Sequence, residues 1–515
     1  MGAGWRRPPD PVPEESTVTT AVSPARIAEL LERTPRSSFV DGAFLGGTPA
    51  LDVVDPATGR PLTQVVDADA PTVGLRALDA AAAAQAEWAA TTSRERAEIL
   101  QRAYTLCHER AEDLALLMTL EMGKPLAEAR GEVVYGAEFL RWFAEEAVRA
   151  GGEFRRAPAA DHAILTTVRP VGPVLAITPW NFPLSMGTRK IAPALAAGCT
   201  VVLKPASLTP LTSLALMQIL ADAGVPRGAV NAVVTSDSTG LSSTLMADPR
   251  LRKVSFTGST GVGRTLLGQA AEHVLKASME LGGNAPFLVL PSADPAAALE
   301  AAVPAKFRNN GEACTAANRF YVHSSVAEEF TAGLAERTTA LQVGPGIAEG
   351  TTMGPMIEEK ALEKIEELVA DAVDRGSRVL AGGRRPTPEE LPEGCEGGYY
   401  YLPTVLADVP PEARVHREEI FGPVAPITVM DDVDEMVRAA NRTEFGLMSY
   451  VAGSDLAEVT AVAGRIESGM VAVNLGVASD AAAPFGGVKE SGLGREGSHE
   501  GLDEYLEKTY VRLPL

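Results

Sequence analysis

The chain has 515 residues, 46% hydrophobic and 22% charged, enough for roughly three domains of about 150 residues each. Its 67 acidic and 46 basic residues give a formal net charge of −21, which excludes binding to nucleic acid or to an anionic membrane surface through bulk electrostatics. An anionic ligand must then be held by cations placed locally against that field.

Four cysteines, Cys107, Cys199, Cys314 and Cys395, are widely spaced, with no C-x-x-C pair and no cluster around the histidines. Neither a disulfide framework nor a metal site is expected. Isolated thiols suit a reducing cytosol, and no stretch approaches the roughly 18 apolar residues of a membrane span. The N-terminus lacks the apolar core of a signal peptide, and residues 1–20, rich in Pro, Glu and Thr, read as a disordered leader. A cytoplasmic, multi-domain enzyme is the expectation.

In chain order, residues 25–150 read as short strands followed by helices. Apolar spacing at Ile99, Leu100, Tyr104, Leu114, Leu117 and Leu120 predicts one amphipathic helix that stops at Gly123 and Pro125. From 165 to 290 strands alternate with helices. Strands are expected at Val174–Ile177, Val201–Leu203, Val230–Val234 and Lys253–Phe256, with Thr209 capping a helix that begins at Pro210 and ends before Gly224. That alternation implies a parallel, doubly wound sheet whose ligands bind outside the carboxyl ends of its strands. Residues 286–485 repeat the α/β pattern, with strands at Phe287–Leu290, Phe320–His323 and Ile427–Val429, and the tail EYLEKTYVRL reads as a strand needing a partner from elsewhere.

Four features can carry chemistry. In F-T-G-S-T-G-V-G-R, Gly258 and Gly263 open a helix after a strand, a setting in which small residues let a helix N-terminus face a diphosphate. In L-K-P-A-S, Lys204 and Ser207 stand at a strand end, beside the glycine loop if the two strands are neighbours; a cation and a hydroxyl there do not repel a 2′-phosphate. In N-N-G-E-A-C-T, Cys314 has a polar, glycine-bearing setting that suits an activated thiol, and Glu280 in M-E-L-G-G-N is enclosed by apolar and glycine residues that raise a carboxyl toward a useful base. In P-W-N-F-P, Asn181 can donate an amide N–H to an oxyanion. Each also has a plainer reading: a turn, a solvated Lys204, a buried small Cys314, a structural Glu280, a core Trp180.

Together, PWNFP, LKPASLTPLT, FTGSTGVGR, MELGGNAPF, NNGEACTAANR, EEIFGP and PFGGVKESGLGRE closely resemble the aldehyde dehydrogenase superfamily, in the family's order and from about residue 25 to the C-terminus. The resemblance implies a Rossmann-like cofactor domain (21–150 and 171–285), an α/β catalytic domain (286–484) and a β-arm for oligomerisation (151–170 and 485–515), assembled as a homodimer or homotetramer. It implies Cys314 as nucleophile, Glu280 as general base, and Asn181 with the Cys314 backbone N–H as the oxyanion site. Trp180, Lys204, Ser207, Gly258, Ser259, Leu281, Glu419 and Phe421 match cofactor-binding positions, Glu419 at the nicotinamide ribose. Ser207, where many NAD-preferring members carry Glu, resembles NADP-using or dual-specificity members, so NADP is expected and NAD also accepted.

Within the superfamily the nearest resemblance is to succinate-semialdehyde dehydrogenases, with Arg189, Arg308 and Ser479 at positions that clamp the substrate carboxylate. Succinate semialdehyde oxidation, as in 4-aminobutyrate breakdown, is the implied activity. The alternatives are glutarate semialdehyde or a broader range of aldehydes, a CoA-acylating relative (which typically lacks the base at Glu280), or a non-catalytic structural protein on the same fold. Asp480, next to Ser479, departs from the pattern by setting a carboxylate beside that clamp. Ala316 replaces the second Cys that serves as a redox switch in some relatives, so that regulation is not expected.

Overall fold

The computed structural model describes residues 22–515, so the leader expected at 1–20 lies outside the described residues. Five short strands, β1 (Val174–Ile177), β2 (Val201–Lys204), β3 (Val230–Ala232), β4 (Lys253–Thr257) and β5 (Lys276–Glu280), form the parallel heart of the first sheet in the order β5-β4-β1-β2-β3. They are almost wholly buried, and the β-branched and aliphatic runs of β1 and β2 reflect coverage of both faces by helices. From β1 the chain winds outward to β3, then returns to the other side of β1 as β4. The crevice above β1 and β4 is therefore a topological switch point, and the loops carrying PWNFP and the glycine motif open into it. Because β1 lies between β2 and β4, the strand bearing Lys204 does not neighbour the glycine-loop strand. The loops still open at the same end of the sheet. Hairpin strands Phe39–Val40 and Ala43–Phe44 and the strand Gly492–Leu493 close its two edges.

The second sheet holds β6 (Ala285–Val289), β7 (Ala317–His323), β8 (Thr404–Ala407), β9 (Val424–Met430), β10 (Met448–Ala452) and β11 (Met470–Val473) in parallel, order β8-β9-β7-β6-β10-β11, with Arg378–Ala381 antiparallel at the edge. Phe287 stacks on Phe320 at 5.2 Å and on Tyr450 at 5.6 Å, binding β6, β7 and β10 through their side chains. A separate three-stranded antiparallel sheet is built from Glu153–Arg156, His162–Pro170 and Leu506–Pro514. The partner of the tail strand is thus His162–Pro170 of the same chain, in register from Leu506 opposite Pro170 to Pro514 opposite His162. No helix among the described residues is long and apolar enough to cross a membrane, and none of their His, Cys, Asp and Glu side chains cluster as a metal site.

Two local expectations change. The helix read as continuous from residue 93 breaks at Arg110 (φ −107°) into Ser93–Glu109 and Ala111–Met122. The first has one buried stripe, while the second is buried on every side from Leu114 to Met122; a single straight helix cannot be both amphipathic cover and core. Thr209 does precede the helix Pro210–Asp222, but its hydroxyl donates to the Trp180 carbonyl at 3.1 Å instead of capping. The cap comes from buried Glu121, whose carboxylate accepts from Leu211 N–H (2.7 Å) and Thr212 N–H (2.9 Å).

Candidate active site

Cys314, Glu280 and Asn181 share one cavity of about 360 Å³ at the switch-point crevice, with walls from both sheets. Trp180, Gly258, Ser259, Leu281, Glu419 and Phe421 line the same cavity. Lys204, Ser207, Arg189, Arg308 and Ser479 stand outside its walls.

The Cys314 loop is set by a left-handed turn. Asn309 (φ 57°, ψ 38°), Asn310 (φ 59°, ψ 20°) and Gly311 (φ 75°) take the left-handed conformation in succession, which Asn and Gly tolerate and other residues resist. Side chains pin it. Asn309 N–H donates to the Glu128 carboxylate at 2.6 Å, and the Asn310 amide joins the Pro355 carbonyl (2.8 Å) to the Gly354 N–H (2.7 Å). Gly283 closes the loop from the other side, since a Cβ there would lie 2.5 Å from the Cys314 carbonyl oxygen.

Asn181 is held just as firmly. Its side-chain amide donates to the Glu312 carbonyl at 2.9 Å, leaving its second N–H. Its backbone carbonyl accepts from Lys124 Nζ (2.8 Å) and Asn309 Nδ2 (3.1 Å). Lys124 is fully buried and also pairs with Glu132, which accepts the Leu184 and Ser185 N–H groups at the start of the helix Ser185–Ala197. Sequence reasoning missed Lys124, Glu132 and Asn309; only the N-N-G run carried a signal, as a left-handed turn. No hydrogen bond among the described residues uses the Cys314 N–H. An oxygen above Cys314 can therefore meet both that N–H and Asn181.

Glu280 ends β5, a strand the sequence reading had not marked, and is 3% exposed with Oε2 unpaired. Burial and the neighbouring charge of Glu496 raise its carboxyl well above the ordinary range, against the opposing pull of Lys190 and Arg189. Burial pushes the Cys314 thiol up to about 12, with Arg189 and Arg308 drawing it down and Glu419 and Glu280 adding to the rise. The resting group is a thiol that needs a base.

The residues on the cofactor side fit a dinucleotide. Ser259 begins the helix Thr260–Glu272 without capping it, and a Cβ on Gly263 would strike Leu281 at 2.4 Å, so the helix start stays open and close to the sheet. Trp180 meets Phe421 edge-on at 5.5 Å. The Glu419 carboxylate accepts from Gly283 N–H at 3.1 Å and, through Gly283, abuts the Cys314 loop. Lys204 is 7% exposed, its ammonium has no hydrogen-bond partner among the described residues, and burial pulls it down to about 8, so its donors are left without an acceptor. Ser207 beside it is half-buried. Two lysines not singled out from sequence, Lys360 and Lys364, line the cavity.

The three residues expected at a carboxylate clamp differ in setting. Arg308 is half-buried, with its guanidinium 5.4 Å from the Phe182 ring. Ser479 is half-buried as well, while Asp480 is exposed and its carboxylate accepts the Ala482 N–H at 2.8 Å, capping the following turn. Arg189 is only 2% exposed: its guanidinium stacks 4.0 Å from the Phe485 ring, lies 3.6 Å from Glu496 and donates to the Tyr135 hydroxyl. An open two-arginine fork is not formed.

The comparisons with known proteins give the family and the fold. The aldehyde dehydrogenase family model matches residues 45–511. The chain is 55% identical to a succinate-semialdehyde dehydrogenase of Paenarthrobacter nicotinovorans, over 85% of this chain and 95% of that one. It is 46% identical to the succinate-semialdehyde dehydrogenase [NADP(+)] of Escherichia coli (strain K12), over 93% and 97%. A crystal structure of succinate-semialdehyde dehydrogenase from Burkholderia pseudomallei superimposes with a TM-score of 0.90 at 44% identity, covering 94% of this chain and 98% of that one. With the thiol, the carboxylate and the amide in one cavity between two α/β sheets, the chain belongs to the aldehyde dehydrogenase family.

Proposed function

We propose that the protein oxidises succinate semialdehyde to succinate with NADP, NAD also being accepted, through a covalent intermediate on Cys314. The observation that carries this reading is the convergence of Cys314, Asn181 and Glu280 on one cavity, with the charges of Arg189 and Arg308 both reaching the thiol. In a chain of net charge −21, two arginines beside the nucleophile favour an aldehyde that carries a carboxylate. The names of the relatives above point to the same substrate, and that of the Escherichia coli relative to NADP.

The chain's own groups account for the chemistry. Cys314 gives its proton to the Glu280 carboxylate, which passes it to solvent, the sulfur adds to the aldehyde carbon, and the oxyanion formed is met by the Asn181 amide and the Cys314 N–H. When bound, the nicotinamide supplies the hydride acceptor that leaves a thioacyl group on Cys314. Glu280, kept basic by burial, takes a proton from water, the hydroxide attacks the thioacyl carbon, and the acid leaves as Cys314 departs as thiolate. Lys204, Ser207 and the open start of the helix Thr260–Glu272 would hold the phosphates and adenosine ribose, Trp180, Leu281 and Phe421 the flat rings, and Glu419 the nicotinamide ribose.

The same reading divides the chain as the resemblance does, with cofactor, catalytic and arm units, and assigns the arm to a cytoplasmic homodimer or homotetramer. Exposed Phe154 and Tyr510 on the arm sheet support that assignment. The test is NAD(P)H formation with succinate semialdehyde, glutarate semialdehyde and an uncharged aldehyde of similar length. Highest kcat/KM for succinate semialdehyde with NADP is expected. Preference for the uncharged aldehyde would refute the anionic substrate, and preference for glutarate semialdehyde would move the assignment one methylene longer.

A further inference from the structure

The loops that carry Asn181 and Cys314 come from different sheets, since Asn181 follows β1 of the first and Cys314 precedes β7 of the second. Their spacing depends on what ties one loop to the other. Asn309 makes that tie. Its Nδ2 donates to the Asn181 carbonyl at 3.1 Å and to the Glu312 carbonyl at 3.0 Å, so the two hydrogens of one amide nitrogen reach one carbonyl on each loop. The Asn181 side-chain amide closes the figure by donating to the same Glu312 carbonyl at 2.9 Å, two residues before Cys314.

Asn309 is itself held from several directions. It is 1% exposed, its left-handed backbone (φ 57°, ψ 38°) is one that Asn adopts readily, and its own N–H donates to Glu128 at 2.6 Å. Its Oδ1 is buried with no partner among the described residues. An unpaired buried acceptor costs stability, so what the side chain contributes lies in its two N–H groups. Asn310, in the same backbone conformation, uses its amide on Gly354 and Pro355 and does not reach the Asn181 loop. Lys124 also donates to the Asn181 carbonyl, at 2.8 Å, so loss of Asn309 would loosen that loop without releasing it.

We propose that Asn309 is a positioning residue for the oxyanion site: by clamping the Asn181 and Glu312 carbonyls it sets the distance between the free Asn181 N–H and Cys314. Asn309 does not line the cavity, so it acts through Asn181 and not on the substrate or cofactor. An oxyanion donor works only when aimed at the atom that becomes charged, and a misplacement of about 1 Å can cost about 10²-fold in rate. The role rests on the oxyanion function proposed above for Asn181.

The experiment compares Asn309→Gly and Asn309→Asp, each alone and in the Asn181→Ala background, by steady-state kinetics with succinate semialdehyde and NADP and by fluorescence titration of NADP. Asn309→Gly keeps the left-handed turn accessible and removes the amide, which separates the clamp from the backbone conformation. Asn309→Asp keeps the shape and puts an oxygen where Nδ2 donates. Each alone is expected to lower kcat by about 10- to 10²-fold, with the dissociation constant and KM for NADP within about twofold of the parent. In the Asn181→Ala background the further loss should stay within about twofold, because the donor that the clamp aims is gone. A kcat near the parent's for Asn309→Gly would show that only the backbone conformation matters, and would overturn the role. An equal fractional loss in both backgrounds would overturn it too, since Asn309 would then act independently of Asn181. An unchanged kcat in Asn181→Ala itself would instead overturn the oxyanion assignment, and this role with it.

Discussion

At the proposed reaction centre, Cys314 and Asn181 are fixed through their own backbones. A left-handed turn, the Gly283 approach and the Lys124 ammonium hold the chain itself, leaving one thiol and two N–H donors facing the cavity. The recognition ends are built from side chains whose state depends on what surrounds them. The Lys204 ammonium is buried without a hydrogen-bond partner, whereas Arg189 is buried with one terminal nitrogen donating to Tyr135, the other 3.6 Å from Glu496 and Nε unpaired. The difference teaches how to read buried cations: donors left without a partner, all of them on the Lys204 ammonium and some on Arg189, are where an anionic ligand gains most. It also predicts that changes at the centre lower kcat by orders of magnitude, while changes at the ends move KM and specificity.

The largest effect is expected from Cys314→Ala. Aldehyde oxidation should fall by on the order of 10⁴-fold or more, with NADP binding intact by fluorescence titration. Activity near the parent level would break the division outright. Asn181→Ala should lower kcat by about 10²–10³-fold with little change in cofactor affinity, as measured by steady-state kinetics. A change confined to KM would move Asn181 to the recognition side. At the cofactor end, Ser207→Glu places a carboxylate beside Lys204, and kcat/KM for NADP relative to NAD should fall about tenfold or more.

The smallest expected effect concerns pH. Lys204 carries its charge below about 8 and loses it above, because burial lowers its value from the ordinary lysine range. Affinity for NADP, measured by titration, should therefore weaken as pH rises through that value, with a bound anion shifting the midpoint upward. A flat profile would show that Lys204 does not meet the phosphates.

Much of this arrangement was legible in the sequence, for definite reasons. Val174–Ile177 was delimited correctly because a buried parallel strand is a continuous apolar run ended by proline. Cys314, Glu280 and Asn181 stood out through glycine- and proline-rich surroundings that fold as the turns bringing them together. What escaped depended on contacts between distant segments. The strand Lys276–Glu280 mixes charged and small residues and lacks a β pattern, because its lysine reaches the carbonyls of Asp503 and Leu506. The capping of Pro210–Asp222 by Glu121 spans about ninety residues and leaves no local mark. Arg189 was expected at a carboxylate clamp, and its burial against Tyr135, Phe485 and Glu496 shows only once those distant segments are placed around it. Asp480, which looked adverse beside Ser479, is exposed, and its carboxylate accepts the Ala482 N–H of its own turn.

In the proposed mechanism Cys314 carries the acyl group and Glu280 activates the water that removes it. The most direct measurement is peptide mass analysis of the Glu280→Gln enzyme, quenched in acid after mixing with succinate semialdehyde and NADP. The account predicts a burst of NADPH matched by a succinyl thioester on the peptide containing Cys314, followed by turnover slowed by about 10²–10⁴-fold. A burst with no adduct, or with the adduct on another residue, would contradict it.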